Sequence, residues 1–137
     1  MNWQMDLPTQ EYVVFGDINH ISRVLTNLLK NAKEAIPDSR RGEIKVELYQ
    51  QASKIVIKVT DNGEGIPDDK VDKVFVPNFT TKRSGTGLGL AISKSIINSI
   101  DGEIFFETEL GDGTKFFIEL PLVNAEYPKL EKEPVNT

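Results

Sequence analysis

Residues 54–67 read KIVIKVTDNGEGIP, an alternating apolar segment that runs directly into an acidic loop with two glycines. The alternation predicts a β-strand with one buried face. Asp-Asn-Gly is a good turn sequence and Gly65 permits a left-handed backbone, so a simple turn explains part of the loop. Gly63 and Gly65 would also let a flat ligand approach the backbone closely, and Asp61 could accept a hydrogen bond from an exocyclic amine. This stretch alone leaves a turn and a ligand-binding loop both open.

The segments on either side of this stretch predict the remaining elements of the fold. A helix is predicted from the apolar spacing between Ile21 and Ile36, with Asp17 as its N-cap and Pro37 as its stop. Further strands are predicted at 12–15, 43–50, 53–60, 103–110 and 115–121, and further helices at about 67–74 and at 88–100. Hairpins cannot build an all-parallel sheet. The order therefore predicts an α/β fold of the two-layer α+β kind, a mixed sheet covered on one face by helices.

Composition narrows the possible functions. The 137 residues carry a formal net charge of -5, which argues against a nucleic-acid partner, because phosphate contacts need clustered Lys and Arg. The absence of cysteine excludes a disulfide framework and a thiolate metal site. No apolar run is long enough for a membrane helix, and the first residues have no signal-peptide core, so we expect a soluble chain without membrane contact.

Two asparagines on the first predicted helix share one of its faces. Asn27 and Asn31 are four residues apart, at the edge of the apolar stripe. Partly buried amides need hydrogen-bond partners, and loop backbone would satisfy them. Alternatively, the pair forms a polar edge facing a ligand, and an amide oxygen there could bind a hard cation such as Mg²⁺.

A third cluster is SGTGLGLAI at 84–92, in which Gly85, Gly87 and Gly89 alternate before a helix. Glycine amides and a helix N-terminus suit phosphates, although a flexible linker would have the same composition. No Gly-Lys-Ser/Thr follows, which excludes a Walker loop, and Leu90 stands where a dinucleotide-binding loop has its last glycine.

Taken together, these clusters resemble the boxes of the histidine-kinase ATP-binding domain. NLLKNAKEA at 27–35 is similar to its N box, DNGEGIP at 61–67 to its first glycine box, VFVPNFTTK at 74–82 to its F box, and GTGLGLAI at 85–92 to its second glycine box. The boxes come in the family's order. The resemblance implies the Bergerat fold shared with gyrase, heat-shock 90 chaperones and mismatch-repair ATPases. It also implies a catalytic domain at 12–121, which we expect between a flexible lead at 1–11 and a flexible tail at 122–137.

The resemblance also implies a nucleotide site. Asp61 would select adenine, with Gly63, Gly65 and Ile66 around the ring and Thr114 supporting the aspartate. Asn31 would ligate Mg²⁺, and Asn27 would face the nucleotide one turn earlier. Residues 76–87 would form the ATP lid. The phosphates would be bound by the lid and the second glycine box, through Thr81, Lys82, Gly85, Thr86, Gly87, Leu88 and Gly89. For Lys82, contact with the terminal phosphate and a solvated loop position are both open.

Three positions depart from the family's pattern. Glu34 stands where many relatives have a basic residue, which puts a phosphate contact there in doubt. The lid resembles that of nitrogen-regulation sensors, but Asn78 replaces a phenylalanine. His20, the only histidine, lacks the acidic neighbour of a phosphoacceptor and is interpreted as an ordinary helix residue.

The implied function is the catalytic domain of a sensor histidine kinase. It would bind Mg·ATP and phosphorylate a histidine on a separate dimerisation and phosphoacceptor domain of the same kinase, which would then act on a response regulator. The resemblance further implies a cytoplasmic location, as the cytoplasmic part of a larger sensor, either membrane-bound or not. One alternative is an ATPase or serine kinase of the same superfamily. Those relatives usually carry a glutamate at the position of Asn27, whose amide is not a useful base. Another is a nucleotide-binding module without transfer activity.

Overall fold

The structure, a computed structural model, describes residues 1–77 and 89–123. In chain order they form strand β1 (Asn2–Asp6), helix α1 (Ile18–Ala35), strands β2 (Glu43–Gln51) and β3 (Lys54–Asp61), a 3₁₀ helix (Asp68–Lys73), helix α2 (Gly89–Ser99), and strands β4 (Glu103–Glu109) and β5 (Gly113–Pro121).

The five strands form one sheet in the order β1-β2-β3-β5-β4. Strands β1 and β2 are parallel, and the other three neighbouring pairs are antiparallel. Ile55, Ile57 and Val59 point from β3 into a core that also contains residues of both α-helices. The predicted mixed sheet, covered on one face by helices, is confirmed.

Helix α1 begins and ends where the sequence predicts. The Asp17 carboxylate accepts a hydrogen bond from the Asn19 N–H at 2.8 Å, so it caps the first turn. The helix ends at Ala35, two residues before Pro37. Its apolar stripe buries Val24, Leu28 and Ala32 against the sheet. This packing fixes the position of Asn27 and Asn31, which lie on the neighbouring part of the helix surface.

The N-terminal residues differ in secondary structure from the expectation. The edge strand lies at Asn2–Asp6 rather than at 12–15, where only an isolated bridge joins Val14 to Leu122. The edge of β2 offers unpaired backbone groups, and an extended segment can satisfy them whatever its side chains are. Because every residue of β1 is exposed, burial imposed little pattern on its sequence. The boundaries of the catalytic domain and the flexibility of both ends stay predictions.

Candidate functional site

The centre of the candidate site is the end of β3, where Asp61 closes the strand. Only 5% of Asp61 is exposed. Its Oδ1 atom accepts hydrogen bonds from the N–H groups of Gly63, at 2.8 Å, and of Thr114, at 3.3 Å. A buried carboxylate needs such donors to offset its lost hydration. The two bonds join β3, the loop after it and β5 at one carboxylate.

The glycines of the loop are required by contacts within the protein. A Cβ atom on Gly63 would lie 2.5 Å from the Ala35 carbonyl oxygen at the end of α1. On Gly65, whose φ is 78°, it would lie 2.5 Å from the Glu109 carbonyl oxygen. The loop therefore passes between the end of α1 and the β4–β5 turn with no room for side chains at these positions. That the glycines also admit a nucleotide ring stays a prediction.

Backbone hydrogen bonds attach the loop to both neighbours. The Glu64 N–H donates to the Ala35 carbonyl at 3.0 Å, and the Gly111 N–H donates to the Glu64 carbonyl at 2.7 Å. The Asn62 side chain accepts from the Glu43 N–H and donates to the Arg41 carbonyl. A loop held in this way can present Asp61 in one orientation.

Thr108 belongs to this network and was missed by the sequence analysis. Its hydroxyl lies 2.9 Å from the Thr114 hydroxyl and accepts from the Ile66 N–H, also at 2.9 Å. Thr108 and Thr114 are direct partners in the β4–β5 register, and they lie on the same face of the sheet as the core residue Phe116. The alternation of β4 and β5 about the GDGT turn could have paired them from sequence. The Thr114 N–H donates to the Asp61 Oδ1 atom, and a role for Thr114 in supporting Asp61 at a nucleotide site stays a prediction.

The two asparagines of α1 have different surroundings. Asn27 donates from Nδ2 to the Gly89 carbonyl and to the Ser93 hydroxyl, each at 3.3 Å, and so links α1 to the first turns of α2. This is the structural use of an amide that the sequence analysis weighed against a ligand contact. Asn31 is half-buried, and its side chain has no hydrogen bond to any residue in 1–77 or 89–123. Its amide oxygen is thus available to a ligand.

Much of the predicted phosphate-binding segment lies outside the described residues. This applies to Asn78, Thr81, Lys82, Gly85, Thr86, Gly87 and Leu88. Gly89 is described and begins α2. The sequence expectations for the lid and the second glycine box therefore stay predictions.

The described ranges contain no group of three or more His, Cys, Asp and Glu residues that could hold a metal ion. His20 is exposed near the start of α1. Asn31 is the described residue that fits the predicted Mg²⁺, because it combines partial burial with an unpartnered amide oxygen, a ligand type that Mg²⁺ accepts. No helix in the described parts of the chain is long and apolar enough to cross a membrane.

Comparison with known proteins shows the family to which the chain belongs. The family described as histidine kinase-, DNA gyrase B-, and HSP90-like ATPase matches residues 16–124. The chain is 39% identical over 114 residues to sporulation kinase C of Bacillus subtilis, covering 83% of this chain and 26% of the kinase. It is 43% identical over 118 residues to the C4-dicarboxylate transport sensor protein DctB of Rhizobium meliloti, covering 85% of this chain and 19% of the sensor.

A solved structure agrees with these matches. The nucleotide-free catalytic domain of histidine kinase ThkA superposes with a TM-score of 0.76 at 35% identity, covering 88% of this chain and 78% of that one. The chain therefore belongs to the histidine kinase-, DNA gyrase B- and HSP90-like ATPases, and its fold is that of a histidine-kinase catalytic domain. It spans only about a fifth to a quarter of the length of the two curated relatives named above.

Proposed function

We propose that this chain is the ATP-binding catalytic domain of a sensor histidine kinase, with Mg²⁺ and ATP as its ligands. The observation that carries the proposal is the buried Asp61 carboxylate, held by two backbone N–H groups at the end of β3. Relatives named as kinases and sensors, and the likeness to the ThkA catalytic domain, support it.

The base would be recognised by Asp61. Its Oδ1 atom is occupied by the N–H groups of Gly63 and Thr114, which fixes the orientation of the carboxylate. An acceptor fixed in this way discriminates by hydrogen bonding, because adenine offers an exocyclic amine where guanine offers a carbonyl. The Thr108 and Thr114 hydroxyls, bonded to each other behind the loop, would keep Ile66 in place beside the ring.

The phosphates would lie toward Asn31 and the start of α2. Asn31 would hold Mg²⁺, which would supply charge neutralisation at the phosphates. We propose that the second glycine box and Lys82 bind the β- and γ-phosphates. In the transfer, the bond between the γ-phosphorus and the β,γ-bridging oxygen breaks, a bond from phosphorus to an imidazole nitrogen of the acceptor histidine forms, and ADP leaves.

The acceptor histidine would lie on a separate dimerisation and phosphoacceptor domain of the same kinase, which passes the phosphoryl group to a response regulator. The relatives are several times longer than the matched segment, which supports the existence of such additional domains. We place the catalytic domain in the cytoplasm, where ATP is available.

The residue at position 27, an asparagine, favours a histidine kinase over an ATPase. An ATPase of the superfamily would need a base at that position, and an amide cannot take up a proton there. Asn27 instead donates to the Gly89 carbonyl and the Ser93 hydroxyl. An imidazole acceptor is itself the nucleophile and needs no such base from this chain.

The experiment is incubation of the purified chain with γ-labelled ATP and Mg²⁺, alone and with the acceptor domain of a related sensor kinase. We expect very slow phosphate release by the chain alone and acid-labile label on the acceptor domain only. Fast phosphate release that Asn27→Ala abolishes would favour an ATPase instead. Label on His20 would contradict the interpretation of that residue.

A further inference from the structure

Arg40 lies in the connection between α1 and β2, and its side chain reaches two other parts of the fold. Its Nη1 atom lies 2.6 Å from the Asn62 carbonyl oxygen, 2.9 Å from that of Gly63 and 3.2 Å from that of Gly111. The first two carbonyls belong to the loop after Asp61, and the third to the β4–β5 turn. One exposed guanidinium thus connects three segments that are far apart in sequence.

The charge of Arg40 is directed at these carbonyls. Arg40 forms no ion pair with any residue that the structure describes. Hydrogen bonds from a charged donor are shorter and stronger than neutral ones, and the Asn62 contact at 2.6 Å is short. The connection itself is held by a bond from the Arg40 N–H to the Pro37 carbonyl at 3.1 Å, which keeps the side chain at the loop.

The contact with Asn62 leads directly to Asp61. The Asn62 carbonyl and the Gly63 N–H are the two ends of one peptide group. Arg40 binds the oxygen end at 2.6 Å, and the N–H end donates to the Asp61 Oδ1 atom at 2.8 Å. A hydrogen bond at one end of a peptide group polarises the group and strengthens the bond at its other end. Arg40 thereby fixes both the orientation and the donor strength of the group that holds the carboxylate.

We propose that Arg40 is a positioning residue for adenine recognition, acting on Asp61 through the Asn62–Gly63 peptide group. The inference rests on the proposed function, because it assigns Arg40 to the same nucleotide site. Arg40 touches neither the phosphates nor the metal in this scheme. Loss of the Arg40 side chain should therefore weaken the binding of adenosine, ADP and ATP by the same factor.

The test compares Arg40→Ala with Arg41→Ala, since Arg41 is the adjacent arginine and only its backbone carbonyl contacts Asn62. Binding of adenosine, ADP and ATP is measured by displacement of a fluorescent ADP analogue, well below the melting temperature of each variant. We expect Arg40→Ala to weaken the binding of all three ligands by about fivefold to tenfold, because one charge-assisted contact at an exposed site is lost. Arg41→Ala should stay within about twofold of wild type.

Amide hydrogen exchange adds a readout that overall stability does not control. In the nucleotide-free chain, Arg40→Ala should speed exchange at Gly63 while leaving core amides of β3, such as that of Val59, unchanged. Unchanged affinity for all three ligands would overturn the inference, as would an effect equal to that of Arg41→Ala. A loss that grows from adenosine to ATP would also overturn it, because it would assign Arg40 to the phosphates.

A second variant decides the matter if Arg40→Ala fails to fold. Arg40→Lys keeps the charge but loses the guanidinium fork, so an intermediate loss of affinity supports the inference. Wild-type affinity in Arg40→Lys, together with an unfolded Arg40→Ala, would assign Arg40 to folding alone. If the wild-type chain binds no adenine nucleotide, the proposed function itself fails. If the wild type binds and Arg40→Ala binds equally well, only the inference fails.

Discussion

Gly63→Ala tests how tightly the loop after Asp61 is packed against α1. The added Cβ atom would lie 2.5 Å from the Ala35 carbonyl oxygen and 2.9 Å from the Ala35 Cβ atom. To reach even 3.0 Å from the oxygen, the loop or the helix end must move by about half an ångström. Both partners are backbone or attached directly to it, so no flexible side chain can absorb the movement.

The cost has three parts. Overpacking typically costs about 1–3 kcal/mol. The shift also weakens the bond between the Glu64 N–H and the Ala35 carbonyl, which is worth about 1 kcal/mol. The gain from a stiffer unfolded chain returns about 0.4–1 kcal/mol. The expected net loss of unfolding free energy is about 2 kcal/mol, or a fall in melting temperature of about 5–10 °C for a domain of this size.

The assay is urea unfolding followed by circular dichroism, together with ATP titration of the folded variant. The same movement displaces the Gly63 N–H from the Asp61 carboxylate that it holds, so ATP affinity should fall at least about tenfold. Glu64→Ala is the matched control, since Glu64 is exposed and its backbone bonds remain. Wild-type stability and affinity in Gly63→Ala would refute the packing argument, and an equal effect in Glu64→Ala would show that it is not specific to Gly63.

Three further changes probe other parts of the account. Asn31→Ala should weaken the binding of Mg·ATP, measured by calorimetry, much more than the binding of metal-free ATP, whereas equal effects would mean that Asn31 has only a structural role. Thr108→Val should cost about 1–3 kcal/mol in urea unfolding, because the Ile66 N–H loses its acceptor, and Thr108→Ser should restore stability. Burial, and then the nearby Glu47, Glu119 and Glu107 carboxylates, raise the pKa of Tyr49 above its ordinary value of 10.0. Tyr49 therefore ionises at a lower pH in the unfolded chain than in the folded one, so the free energy of unfolding should fall as the pH rises above 10.0. The fall should be smaller in Tyr49→Phe, and parallel curves of unfolding free energy against pH for the two proteins would contradict this.

The parts of the fold with a buried face were predictable from the sequence. Strand β3 alternates Ile55, Ile57 and Val59 toward the core, and α1 places its buried residues at helical spacing, so burial left a readable pattern in both. The sequence of strand β1 shows no such pattern, since the strand pairs through its backbone and all its residues are exposed. Its existence depends on the free edge of β2, which becomes known only once the sheet is assembled.

The placement of Asp61 at the end of β3 and the left-handed backbone of Gly65 were predictable from residue type and spacing, while their roles toward a nucleotide stay predictions. The candidate site was not predictable where a polar side chain acts on distant backbone. Thr108 could have been paired with Thr114 through the GDGT turn between β4 and β5, whereas Arg40 needs the assembled fold to reach the carbonyls of the loop. An arginine in a polar connection has no periodicity that marks it. A residue such as Arg40 is found only from the three-dimensional contacts.

The central claim is that this chain recognises adenine nucleotides through Asp61, and calorimetry tests it most directly. The purified chain is titrated with ATP, ADP and GTP, with and without Mg²⁺, and the titrations are repeated with Asp61→Asn. The asparagine keeps one oxygen that can accept from the N–H groups of Gly63 and Thr114. Its other terminal atom is an amide nitrogen, a donor that cannot accept a hydrogen bond from the adenine amine. We expect ATP and ADP to bind, GTP not to bind, and Asp61→Asn to weaken ATP by roughly tenfold or more. Comparable affinity for GTP in the wild type, or unchanged ATP affinity in Asp61→Asn, would contradict the claim.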